Sequence, residues 1–186
     1  NRSALVVNTD GQAQPLDGAM LTGGSIAGLV RFQNSDLVAA RNQLGQMATA
    51  FAYAINDAQA RGLDLGDPPG AGSDLFAVGA PRALPSAHNA RDAGGGYLGT
   101  VALQITDASL LQASDYSLAL DPTGASKFLL TRLSDGLVRG VNEGGSVDGF
   151  QITSGGAGLQ NGDTFLLQAV AGAATGMKRV LDDPSG

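Results

Sequence analysis

The sequence contains no cysteine and no tryptophan, and only one histidine and one glutamate. Without cysteine there is no disulfide framework, no thiol nucleophile and no cysteine-ligated zinc. That absence leaves the compartment open, since secreted and cytosolic chains alike can lack the residue. With three tyrosines and no tryptophan, a stacking platform for sugar rings is hard to build. Charge of one sign is nowhere concentrated. The longest like-charge run is Asp182-Asp183 and the net charge is -6, so neither nucleic acid nor an anionic membrane has an electrostatic footprint here. No run approaches the roughly eighteen apolar residues of a membrane span. The opening stretch, "NRSALVVNTDGQ", is neither a basic-then-apolar signal nor a methionine start, and the chain is expected to be an internal piece of a longer protein.

What is present is a globular composition. The chain has 186 residues, 43% hydrophobic and 15% charged, enough for one domain or two small ones. With 28 glycines and six phenylalanines, the core must rest on Leu, Val, Ile and Ala between many turns. That balance favours strands, apart from one alanine-rich stretch.

The spacing predicts a short strand over 4–8, followed by Asp10-Gly11, a pair that suits the positive φ values of a tight hairpin turn. A polar connection then leads to "MLTGG" and a helix, with Thr22 or Ser25 placed to accept from its first amides. From Ile26 the apolar residues keep a seven-residue repeat. Val30, Leu37, Leu44, Phe51 and Ala58 hold one position; Ile26, Ala40, Met47 and Ala54 hold the other, broken only by Gln33. Ser35, Asn42, Thr49 and Asn56 mark a polar edge with the same period. A repeat of 3.5 suits packing of helix on helix. The expected packing seam is therefore Val30, Leu37, Leu44, Met47, Phe51, Ala54 and Ala58, and its small alanines suit a closely approaching partner helix. From Ser25 to Arg61 the helix would be roughly 55 Å long at about 1.5 Å per residue, with Gly62 ending it in the left-handed conformation. Gly28 and Gly45 inside it each cost about 1 kcal/mol relative to alanine, so tertiary packing has to compensate.

Residues 62–96 are rich in Gly, Pro, Asp and Ala without a sustained period, and read as an extended connector. Beyond them the period changes to two. Val101, Leu103 and Ile105 share a face, as do Tyr116, Leu118 and Leu120, and Phe128, Leu130 and Arg132. "VDGFQIT" and "DTFLLQAV" supply two more strands. Five or six short strands between glycine-rich turns describe an antiparallel sandwich or open barrel. The fold class is thus α+β: an N-terminal hairpin and a long heptad-patterned helix, followed by an antiparallel all-β module. The expected division is 1–76 for a helical part, 77–96 for a connector, 97–172 for the β module and 173–186 for a return segment.

Candidate chemistry is thin. His88 lies in a Pro/Gly-rich stretch with no strained nucleophile motif nearby, and an exposed loop histidine accounts for it. Asp64, Asp67 and Asp74 could offer carboxylates to a hard cation, but their spacing misses the calcium-loop pattern and its closing glutamate. Turn-forming and capping roles explain them better. "GGAGLQNGD" at 155–163 approaches a calcium nonapeptide, yet Gln160 stands where that pattern needs aspartate. Of the glycine pairs only Gly23-Gly24 precedes a helix, and no lysine-hydroxyl partner follows it, so a phosphate cradle is not indicated. No catalytic, metal or cofactor residues are expected.

The order of segments says more than any single motif. Gly23-Gly24, Arg41-Asn42, Leu44, Met47-Ala48, Phe51, Asn56, Gly62, Asp64-Leu65 and Asp74-Leu75-Phe76 follow one another as in the flagellar hook-associated protein 1 family, which the stretch resembles. "LLQASDYSLAL", "LTRLSDG", "VDGFQIT" and "GDTFLLQ" extend the resemblance into the β half. The resemblance implies a structural subunit joining hook to filament in the bacterial flagellum. Such a subunit is secreted by the type III export apparatus, extracellular, and without enzymatic activity or cofactor. It implies partners in copies of itself and in adjacent hook and filament-junction proteins, and an export chaperone engaged through terminal helical segments that this chain lacks. The alternative is an extracellular adhesin or carbohydrate-binding β module with a helical stalk, which would need an exposed aromatic platform or a metal-ligand cluster.

Overall fold

The computed structural model describes residues 5–9, 12–16 and 23–182. The chain forms two compact units, residues 1–41 and 42–186. The boundary between them falls within the long helix, whose second half is grouped with the strands.

In the first unit, β1 (Leu5–Thr9) pairs antiparallel with β2 (Gln12–Leu16), Thr9 opposite Gln12 and Leu5 opposite Leu16. The hairpin is the one expected, although a second strand stands where a polar connection was read. Its turn residues Asp10 and Gly11 lie outside the described residues. Helix α1 runs Gly24–Arg31, and a π-helical turn follows at Phe32–Asp36. The helix start has no side-chain cap: Gly23 occupies the N-cap position in extended conformation. Ser25 is therefore not the cap, and Thr22 lies outside the described residues. A π turn takes one residue more than an α turn. The heptad break at Gln33 falls inside this π-helical turn.

Helix α2 spans Leu37–Ala60. Gly62 follows it, but not in the left-handed region; its amide donates to the Gln59 carbonyl at 2.9 Å, tightening the last turn instead. Among the described residues no helix is long and apolar enough to cross a membrane.

The second unit carries the β module. β5 (Gly99–Ile105), β10 (Phe150–Gly156) and β9 (Ser146–Val147) form a three-stranded sheet in the order β5-β10-β9. A five-stranded sheet has the order β4-β11-β6-β7-β8, from β4 (Arg82–Pro85), β6 (Asp115–Leu120), β7 (Phe128–Arg132), β8 (Val138–Val141) and β11 (Thr164–Gln168). The expected alternation holds in β5, β6 and β7. Residues 77–96, read as a connector, supply β4, which adds to β11 with Leu84 opposite Leu166. Four residues are too few to display a period, and Pro85 is tolerated because β4 is an edge strand.

The core lies between the two sheets. Tyr116, Leu118, Phe128, Phe150, Ile152 and Leu167 are fully buried, each contributing roughly 1.5–3 kcal/mol of apolar burial. The rings of Tyr116 and Phe150 meet edge-on at 5.0 Å. One carboxylate ties the sheets together at their rim. Asp148, between β9 and β10, accepts from the Tyr116 hydroxyl at 2.9 Å and the Arg132 guanidinium at 3.0 Å, with Arg139 at 3.3 Å. Burial, with the bond to Asp148, pushes the Tyr116 hydroxyl far above its ordinary range.

Finally, β3 (Phe76–Ala77) pairs antiparallel with β12 (Lys178–Arg179), Phe76 opposite Arg179. The Val180 amide extends the pairing to the Leu75 carbonyl at 2.9 Å. The chain thus leaves α2 for the β strands and comes back from them along one two-stranded stem.

Candidate functional site

The long helix is the feature with chemistry left over. Within the second unit, α2 buries Asn42, Gly45, Thr49 and Ala52. This is the edge that looked polar in the sequence, so the expectation of a wet stripe at Asn42 and Thr49 is corrected: it is the docked face. The reason is steric as well as polar. A Cβ at Gly45 would lie 1.9 Å from the Val170 carbonyl oxygen, so only glycine lets the strand-end backbone come this close. Thr49 is spared an unsatisfied hydroxyl by bonding to the Gly45 carbonyl at 2.8 Å, and the Gln46 amide reaches the Leu111 carbonyl.

Asn56, the last residue of that edge, fixes the stem. Its Oδ1 accepts from the Leu75 and Phe76 amides at 3.0 Å each, and its Nδ2 donates to the Phe76 carbonyl at 2.7 Å. A side-chain amide is suited to this, having both acceptor and donor on one rigid plane. Phe76 also meets the ring of Phe51 at 5.6 Å.

With that face occupied, the opposite face of α2 is bare. Leu44 is 60% exposed, Met47 68% and Phe51 51%, and Ala54 and Ala58 are exposed beside them. In the first unit, taken by itself, Leu37 is also exposed and Val30 half-buried. Within the second unit, Leu44, Met47, Ala54 and Ala58 of the predicted seam thus form an exposed apolar surface, at whose edge Phe51 is half-covered by Phe76. Reading the faces from hydrophobicity alone missed Gly45 and Asn56. A glycine inside a helix was the available signal, because it costs stability unless another backbone needs the space.

A cleft of about 620 Å³ lies beside α2 in the same unit, bordered by Tyr53, Asn56, Asp74, Phe76 and Leu103. Burial, followed by the charge of Asp74, raises the Tyr53 hydroxyl. The remaining sequence candidates are dispersed. Asp64 is a turn brace, accepting from the Gly66 amide at 3.0 Å and the Gly70 amide at 2.7 Å. His88 is an exposed loop residue. Residues 157–163 connect β10 to β11.

Residues 1–76 match the family described as flagellar hook-associated protein FlgK helical domain, and residues 87–169 match flagellar hook-associated protein 1, D2-like domain. Flagellar hook-associated protein 1 of Salmonella typhimurium is 33% identical over 168 residues, covering 85% of this chain. That of Escherichia coli K12 is 34% identical over 169 residues, covering 88%. The chain spans 27% and 28% of those relatives' lengths. The solved structure of the flagellar hook junction protein FlgK from Burkholderia pseudomallei superposes with a TM-score of 0.76 at 28% identity, over 94% of this chain and 31% of that one. The order of the sequence motifs, the helix followed by antiparallel sheets, and these matches lead to one conclusion: the chain belongs to the flagellar hook-associated protein 1 family.

Proposed function

We propose that the chain is part of a structural subunit that joins hook to filament in the bacterial flagellum. The observation that carries this reading is the outward face of α2, where Leu44, Met47 and Phe51 stand exposed although the helix is already anchored by its other side. Burying three such side chains against a partner helix would contribute roughly 1.5–3 kcal/mol each, which suits a subunit held by packing rather than by chemistry. The seam residues Val30, Leu37, Leu44, Met47, Phe51, Ala54 and Ala58 are the proposed packing positions. The division into a helical part, a β module and a return segment fits this role, because the stem lets the module stand on the helix without interrupting its free face.

The full-length protein acts outside the cell after type III export, assembled with copies of itself and with adjacent hook and filament-junction proteins. A chaperone engages segments beyond this chain, and no catalysis is involved. The named relatives favour this reading over an adhesin or carbohydrate-binding module. Cells from which the parent gene is deleted are expected to carry hooks without filaments. Filaments still attached to hooks in those cells would contradict the proposal.

A further inference from the structure

The turn between β10 and β11 contains Asn161-Gly162, and no other asparagine in the sequence precedes a glycine. Asn161 is exposed. The Asp163 amide donates to the Gln160 carbonyl at 3.0 Å, closing a four-residue turn with Gly162 at φ 91°. With Asn161 outside the positive-φ region, this is a type II turn. Even a Cβ added at Gly162 would meet nothing within 4 Å, so nothing crowds its backbone. Asn89 and Asn56, which are less exposed, differ. Asn89 exchanges two hydrogen bonds with the Thr164 backbone, and Asn56 makes three to the stem.

We infer that Asn161 is a site of spontaneous deamidation, and that its conversion loosens the latch between this turn and residues 89–90. The main-chain nitrogen of Gly162 loses its proton and attacks the Asn161 Cγ. A C–N bond forms to give a five-membered succinimide, and the side-chain nitrogen leaves as ammonia. Water then opens the ring at either carbonyl, leaving aspartate or isoaspartate. One water is consumed and one ammonia released, with no change of oxidation state and no co-reactant. Glycine allows the attack because it places no side chain beside the nucleophilic nitrogen.

The consequence is local. Asp163, buried in the same turn, accepts from the Ala90 amide with Oδ1 and from the Gln160 amide with Oδ2, each at 2.8 Å. Isoaspartate at 161 adds a main-chain carbon between Gln160 and Gly162, so the span that lets Asp163 hold both amides no longer fits. It also places a second negative charge in that turn.

The test is to hold the folded chain in mildly alkaline buffer and follow its peptides by mass spectrometry, with fragmentation that separates aspartate from isoaspartate. The expected result is a gain of about one dalton at Asn161, as both products, with Asn56 and Asn89 unchanged. Asn161→Gln, whose longer side chain would have to close a six-membered ring, is expected to abolish the gain. Conversion of the urea-unfolded chain but not of the folded one would overturn the inference, as would a gain that persists in Asn161→Gln. Hydrogen exchange on the converted chain is expected to be faster at Ala90 and Gln160; unchanged exchange there would overturn the coupling to the latch.

Discussion

At the scale of single residues, Gly45 and Asn56 hold the helix to the β module by opposite means, one by having no side chain and the other by using every polar atom it has. On an exposed helix Gly→Ala stabilises by about 1 kcal/mol. Here the added methyl would strike the Val170 backbone at 1.9 Å, and Gly45→Ala is expected to destabilise instead, by about 1–3 kcal/mol of overpacking. Urea denaturation checks the sign. Asn56→Ala leaves two amides and a carbonyl of the stem without their partner and is expected to cost about 1–3 kcal/mol. Hydrogen exchange should localise the loss to Leu75 and Phe76.

Glu143 gives a pH dependence with a defined sign. Its carboxylate takes hydrogen bonds from the Lys127 ammonium and from the amide and hydroxyl of Ser154, at 2.6 and 2.7 Å for the latter two. Lys127 foremost, then Ser154, hold its pKa down to about 2, against an ordinary 4.5. The unfolded chain takes up this proton first as pH falls, so the contribution is complete above about 4.5 and lost towards 2. The site is open to solvent and screened, so the effect is small. Glu143→Gln is expected to flatten that part of the stability profile, and added salt to shrink it; thermal melts across the window measure both.

At the scale of elements, the seam and the docked face exchange the roles that hydrophobicity alone suggests. Leu44→Asp and Met47→Asp change exposed positions, so each is expected to leave the melting of this chain within about 0.5 kcal/mol. Thr49, with no exposed surface, is expected to tolerate no larger side chain. Comparing the melts of Leu44→Asp and Thr49→Leu tells which face of α2 carries the fold.

The same contrast explains what could be read beforehand. Alternation in β5, β6 and β7 was legible because two sheets face each other and every second residue enters one core. The helix was legible from its period, but not its orientation. Asn42, Gly45, Thr49 and Ala52 are small or polar, and what draws them inward is a backbone approach at Val170, which has no hydrophobic signature. β4 escaped because its four residues show no period, and the Asn56 clamp because hydrogen bonds to a strand some twenty positions away leave no local pattern.

At the scale of the whole molecule, the chain joins two functions on one helix. The docked edge of α2 carries a β module through a paired stem, Phe76–Ala77 against Lys178–Arg179, and the opposite edge offers an apolar surface.

We propose that the exposed face of α2, rather than the β surface, makes the contact at the junction. The most direct measurement places Leu44→Asp and Met47→Asp together in the full-length protein and counts filaments per hook by electron microscopy, with export and folding of the variant verified in parallel. Hooks without filaments are expected although the variant is exported and folded. Filaments in wild-type number on those hooks would contradict it.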